Sequence, residues 1–333
     1  MPNQSSAIKP MDFQAILSNL LSPMILGFLL GVTATLLKSD LKFPEELYLS
    51  LTIYLLIAIG LKGGYKLSLV PFSAVYKPLG MAILIGSLIP VWSFFILRRL
   101  GKFDVPNAAA IAAHYGSVSA ATFSATLAFL DEHETSYEGF MPGLLAVLEV
   151  PAILIAIFLA KSLDRSGKTG SLREVMRELL TSKSTILLVG CLAIGLLAGK
   201  SGWEQVAPFF DAPFRGVLML FLLEAGLVTG RRLSDLKRVG FFLIGFGIAM
   251  PILHAVLGLI VAKWSGLSMG GAMIFAALMA SASYIAAPAA CRVALPQASP
   301  TYYLTASLAV TFPFNIIFGL PIYYELAEWL YNH

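Results

Sequence analysis

Apolar runs of about twenty residues recur from one end of this chain to the other, and few of them carry a charge. No other feature limits the fold as strongly. A run of that length spans the hydrocarbon core of a bilayer as a helix, where every backbone N–H and C=O must be satisfied inside the segment. The surface argument agrees. Only 13% of the residues are charged, about half of what a chain folded in water uses to cover itself. A water-soluble enzyme, a nucleic-acid-binding domain and a disordered chain are thereby excluded. An all-α polytopic membrane protein remains.

Ten spans are expected, near 20–37, 47–61, 78–97, 104–130, 141–160, 184–199, 213–229, 239–262, 268–291 and 302–325. The basic residues set their orientation. With both termini outside, 16 of the 23 lysines and arginines fall in cytoplasmic loops, as the positive-inside rule requires. The first 20 residues lack a basic region followed by a long apolar core, so no cleavable leader is expected. Cys191 and Cys291 lie in or beside apolar segments without metal-ligand spacing. The longest polar stretch, 161–183, divides the chain nearly in half. Within it Ser171 and Glu174 form a helix-start pattern, and Leu172, Val175, Met176 and Leu179 fall at helical spacing. The expectation is a short amphipathic cytoplasmic helix, lying on the membrane surface or serving as a docking site for a regulator.

The halves resemble each other. Gly60-Leu61 through Ser68 shares G-L-x-x-G-x-x-L-S with Gly226-Leu227 through Ser234, at an offset of 166. Ala112-Ala113 through Ser119 shares A-A-x-x-small-S-x-S with Ala276-Ala277 through Ser283, at an offset of 164. Pro90 answers Pro251, and Pro151 answers Pro313. Five spans per repeat force the second copy to be inverted in the membrane. Three regions follow: 1–160, the linker 161–183, and 184–333. Inverted repeats mark secondary transporters, whose sites lie near the midplane where discontinuous helices meet.

The fourth and ninth spans are the unusual pair, dense in Ala, Ser and Gly. Small residues permit close helix packing. Two Ser-x-Ser motifs at equivalent repeat positions favour more: a break in each helix there. Freed N–H groups at a half-helix start, with the positive dipole end, suit a small anion. Serine hydroxyls and carbonyls suit sodium. Neither motif holds a charged side chain, so a carboxylate-based proton exchange is not expected at this place. Around the motifs, Glu149 and Glu224 are carboxylates within spans. Thr311 and Asn315 lie one turn apart and can face the ninth span. His114 and His254 read as packed hydrogen-bonding groups, and Asn107 as a ligand or a helix cap. Pro313 and Pro321 mark kinks in the tenth helix. No G-x-S-x-G, HExxH, Walker or GxGxxG motif is present, so an enzyme is not expected. No loop is long enough to hold a nucleotide-binding domain, so the energy must come from an ion gradient.

AAIAAHYGSVSAATF, ASASYIAAPAACRVALP, YLTASLAVTFPFNIIFGLPIYY, YLLIAIGLKGGYKLS and EGFMPGLLAVLEVPAI resemble the SbtA family of sodium-dependent bicarbonate transporters of cyanobacteria. The likeness runs through essentially all ten spans. It implies sodium-coupled bicarbonate uptake across the cytoplasmic membrane, serving a carbon-concentrating mechanism, with Na+ as coupling ion and no organic cofactor. It implies a 5+5 inverted repeat with crossed fourth and ninth helices, an elevator-like movement and a homotrimer. A PII-like regulator, SbtB, carrying an adenine nucleotide would bind the cytoplasmic face. No nucleic acid is involved. Carried onto this sequence, the bicarbonate site falls on Gly116, Ser117, Val118 and Ser119, and on Ala280, Ser281, Ala282 and Ser283. The expected sodium-side residues are Ser119, Ser283, Thr311, Asn315, Asn107 and Glu149. The linker is shorter than in some family members. A bile-acid-type sodium/organic-anion symporter and a transport-inactive receptor for the regulator are the alternatives.

Overall fold

The computed structural model describes residues 19–163 and 170–333. Residues 1–18, which carry Lys9 and the reading of no leader, lie outside the described residues, as do linker positions 164–169 with Arg165 and Lys168. The described residues are helical, with no strand among them. In chain order they form α1 (Pro23–Leu36), α2 (Glu45–Leu67), α3 (Phe72–Arg99), α4 (Val105–Gly116), α5 (Ala120–Glu132), α6 (Met141–Leu148) and α7 (Pro151–Leu163). After the linker come α8 (Leu172–Leu180), α9 (Lys183–Phe210), α10 (Phe214–Arg232), α11 (Leu236–Ser265), α12 (Met269–Ala280) and α13 (Ala286–Ala294). The last helix, α14, runs Pro300–Asn332.

Six helical stretches are long and apolar enough to cross a membrane. One of them, Phe214–Ser265, has 52 residues. At 1.5 Å per residue it would reach about 78 Å if straight, more than twice a hydrocarbon core. The chain bends it with a 3-10 turn at Leu233–Asp235, and again at Gly240, where φ is 79°. Only glycine holds such a φ without strain. Gly199, at φ 60°, does the same inside α9. Residues 200–210 thereby fold back along α2: Trp203 stacks on Tyr65 at 6.1 Å, and Phe209 packs on Tyr54 at 5.5 Å.

Polar residues start the helices where the sequence leads one to look. Ser22, Asp104, Ser119, Ser182 and Ser268 each accept a backbone N–H from the first turn that follows, which satisfies donors that have no intrahelical partner. Ser171 caps α8 through the N–H of Arg173. The prolines of the tenth span act as expected but through wider turns. Thr305–Thr311 and Asn315–Gly319 are π-helical, and these stretches stand just before Pro313 and Pro321. A proline lacks an N–H and crowds the carbonyl one turn back, and an extra residue per turn relieves both.

Packing repeats between the halves. α1 lies against α10, and α2 lies against α9. A Cβ on Gly31 would strike the Leu223 carbonyl oxygen, and one on Gly226 would strike that of Phe28. Gly64 meets Leu192 and Gly195 meets Leu61 in the same reciprocal way. These four helices form a panel joined by backbone contact, as small residues allow in lipid. Against it stand α3 with α4 and α7, and α11 with α12 and α14. The linker helix α8 does not simply rest on a surface. Val175 and Leu179 are buried, α8 packs on α13 and α7, and the Gly170 N–H donates to the Ala294 carbonyl at 2.9 Å. An apolar stripe this short gains most by closing against protein.

Candidate functional site

Both Ser-x-Ser motifs interrupt a helix. α4 stops at Gly116 and α5 starts at Ala120; α12 stops at Ala280 and α13 starts at Ala286. Ser117 and Ser281 leave their helices with nearly the same backbone, φ −88° ψ 163° and φ −78° ψ 162°. The symmetry ends there. The first gap holds three residues, and Ser119 caps α5 by accepting from the Thr122 N–H at 3.2 Å. The second gap holds five, and Ile285 at the head of α13 supplies no side-chain cap.

The gaps lie against each other. The Ser119 N–H donates to Ser281 Oγ at 3.0 Å, and the Ser283 N–H donates to the His114 carbonyl at 2.8 Å. Ser281 Oγ in turn donates to the Leu278 carbonyl at 2.8 Å. Ser117 Oγ donates to the carbonyl of Glu149 at 3.1 Å, tying the first gap to the joint between α6 and α7. Ser283 Oγ accepts from the Ala287 N–H at 3.3 Å. Gly116 presses on Pro90 and Ala152, which leave no room for a Cβ. Val118 and Ala282 are buried in apolar surroundings.

A small cavity opens beside the gaps. Ala120 and Ala121 from the start of α5 and Ile285 from the head of α13 line it on one side. Thr52, Leu55 and Leu56 of α2 and Phe221 of α10 line it on the other. Both half-helix N-termini therefore face one space, against the panel. Two positive dipole ends come together beside it. Tyr284 stands in the second gap with its hydroxyl buried, and its ring meets Phe312 edge-on at 5.5 Å. Sequence reasoning passed over Tyr284, although it directly follows the second motif. It also passed over the panel residues, because Thr52, Leu55 and Phe221 belong to ordinary apolar runs.

The sodium-side candidates divide. Asn315 reaches the gaps: its Nδ2 donates to the Ala280 carbonyl at 2.9 Å, and its Oδ1 accepts from the Tyr323 hydroxyl at 2.8 Å. Thr311 serves another joint. Its hydroxyl donates to the Gly247 carbonyl at 2.7 Å and shares a hydrogen bond with Tyr115 at 2.6 Å. The Glu149 carboxylate turns away toward α9, accepting from the Thr185 hydroxyl at 3.2 Å, so only its backbone reaches the first gap. Asn107 lies at the far end of α4, where its Oδ1 accepts from the Ser299 N–H at 2.7 Å. His114 and His254 are packed, as expected. His114 Nδ1 donates to the Ala110 carbonyl at 2.6 Å, its ring lies on Tyr303 at 4.5 Å, and Trp92 donates to His254 Nε2 at 2.9 Å. Glu224 pairs with Arg231 at 3.0 Å. Among the described residues no group of three or more His, Cys, Asp or Glu side chains converges as a metal site.

Discontinuous helices meeting inside a multi-pass helical membrane protein are the usual setting of a secondary transporter's site. The sequence profile of the Na+-dependent bicarbonate transporter superfamily matches residues 23–328, and the chain belongs to that superfamily. Membership makes it a transporter, not an enzyme, and implies sodium-coupled transport of bicarbonate. No curated protein matches the chain.

Proposed function

We propose that this protein carries bicarbonate into the cell with sodium across the cytoplasmic membrane. The observation that carries the reading is the meeting of the two helix gaps, where the Ser119 N–H donates to Ser281 Oγ and the Ser283 N–H donates to the His114 carbonyl. Bicarbonate is small and singly charged. Backbone N–H groups of two helix starts bind it without a fixed cationic side chain, which would hold it too firmly to release. Sodium takes carbonyl and hydroxyl oxygens at the ends of α4 and α12, with Asn315 holding the Ala280 carbonyl in place.

Ten crossings in a 5+5 inverted repeat account for the helices. α1, α2, α3, α4 with α5, and α6 with α7 form one copy, which runs three residues past 160 to Leu163. α9, α10, α11, α12 with α13, and α14 form the other, which starts one residue before 184 at Lys183, and both termini lie outside. The panel of α1, α2, α9 and α10 is the fixed scaffold of an elevator. The remaining helices carry the site along it, because the cavity lies on the seam between the two. A homotrimer and the PII-like regulator SbtB complete this proposal, on the sequence resemblance.

The test is uptake of labelled bicarbonate into proteoliposomes under a sodium gradient, for the native chain and for Ser117→Ala, Ser119→Ala, Ser281→Ala and Ser283→Ala. Native uptake that collapses without sodium, and falls in these variants, supports the reading. Full uptake by all four variants at normal reconstitution would remove the site from the gaps. Uptake of large organic anions in place of bicarbonate would select the bile-acid-type alternative.

A further inference from the structure

Two separate cavities lie along the same faces of α2 and α5. On α5, Ala120 and Ser124 line the small cavity at the gaps, while Leu127 and Asp131 line a larger one. On α2, Thr52 and Leu55 line the first, while Ile59, Lys62 and Lys66 line the second. Steps of three and four residues keep each series on one helix face. Both helices pass from the small cavity to the larger in the same chain direction. The two spaces therefore lie end to end between α2 and α5. Ser124 and Leu127 are separated by about 4.5 Å of helix rise. At the step between the two cavities stand the apolar Leu127 and Ile59, the latter 3% exposed.

The larger space is charged at its rim. Residues 200–210, folded back by Gly199, bring Asp211 onto Lys62 at 2.7 Å. Lys66 and Arg215 line the same rim and hold no ion pair among the described residues. Asp131 and Glu134 supply the opposite sign. The cations Lys66 and Arg215, outside any ion pair among the described residues, draw an anion toward their part of the rim, and Asp131 and Glu134 draw a cation toward theirs.

We propose that the groove between α2 and α5 is the outward access route to the helix gaps. Lys66 and Arg215 gather the anion at its mouth, and Ile59 and Leu127 form the constriction that seals it. The proposal rests on the reading of the gaps as the substrate site.

Two measurements test it. Ser124→Cys and Leu127→Cys are each placed in a chain carrying Cys191→Ala and Cys291→Ala, a background first shown to transport. A membrane-impermeant methanethiosulfonate cation is added outside intact cells. Both positions are expected to react from outside, and sodium with bicarbonate slows the reaction. Separately, Lys66→Gln with Arg215→Gln is expected to raise the bicarbonate KM roughly three- to tenfold at low ionic strength. The effect shrinks near 1 M choline chloride, where the screening length is about 3 Å. Lys66→Arg with Arg215→Lys restores the native KM, which separates charge from folding. Reaction only from the cytoplasmic side in inverted vesicles overturns the route, and so does an unchanged KM in the Gln variant. The two readings fail separately. Outside labelling that is protected by another anion removes bicarbonate alone, while sodium-driven bicarbonate uptake without outside labelling removes the route alone.

Discussion

The backbone N–H of Ser119 donates to the side-chain oxygen of Ser281 at 3.0 Å. Two residues 162 positions apart thus join the head of one half-helix to the tail of another. The bond explains why a serine is needed at this place in the second motif. Its hydroxyl receives a donor from α5 while giving its proton to the Leu278 carbonyl.

Ser281→Ala is expected to cost stability and transport together. A buried N–H left without a partner costs about 1–3 kcal/mol, and the gaps would shift to satisfy it. Sodium-dependent uptake should fall about tenfold or more if that cost is borne by the loaded state. Thermal unfolding in detergent reads the stability part. Native uptake with a native melting temperature would show that the bond contributes to neither.

Asn315 joins the Ala280 carbonyl to the Tyr323 hydroxyl. Asn315→Leu strands both groups. It should lower uptake strongly and raise the sodium concentration needed for half-maximal rate. Tyr323→Phe removes only the outer bond and should be milder, near the ~1 kcal/mol of one net hydrogen bond. A sodium titration of uptake ranks the two, and a reversed order would count against Asn315 as the residue that holds the carbonyl.

Glycine positions in the panel give a packing test that needs no transport assay. Gly226→Ala places a methyl against the Phe28 carbonyl and should destabilise by about 1–3 kcal/mol through overpacking. Gly80→Ala has nothing within 4 Å of the new methyl. It should be neutral or stabilising by up to ~1 kcal/mol from helix propensity. Unfolding midpoints of the two purified variants decide the matter.

The linker helix offers a fourth test. Leu179→Asp puts a carboxylate where the side chain is 1% exposed against the body of the protein. It should release α8 from α13, speed proteolysis at the linker and reduce uptake. Arg177→Gln, on the exposed face, should leave the cleavage pattern native. Limited proteolysis of both in reconstituted membranes makes the comparison.

Much of this was readable in the chain. The Ser-x-Ser motifs mark the helix gaps because paired serines, with Gly116 in the first, compete with helical hydrogen bonding at one place, within Ala-rich segments that stay thin. The linker helix is readable because its apolar residues recur at helical spacing after a capping serine. The roles of single polar residues were not readable. Glu149 and Asn107 are polar groups near the right segments, yet one carboxylate bonds Thr185 on α9 and the other side chain bonds Ser299 beyond α13. A hydrogen bond is decided by direction and distance within a few tenths of an ångström, and sequence spacing fixes neither between separate helices.

The sequence by itself determined that the chain lives in a membrane, that it is helical, that its halves share a pattern, and where two helices break. Those properties follow from apolar run length, charge scarcity and local backbone preference, which act over a few residues. The tertiary structure decided which groups meet: Ser119 with Ser281, Asn315 with Ala280, and the heads of α5 and α13 with α2 and α10 around one cavity. In lipid, apolar burial does not select partners among helices, so shape does. Glycines that let α1 reach α10 and α2 reach α9 build the panel, and the panel sets the wall of the site.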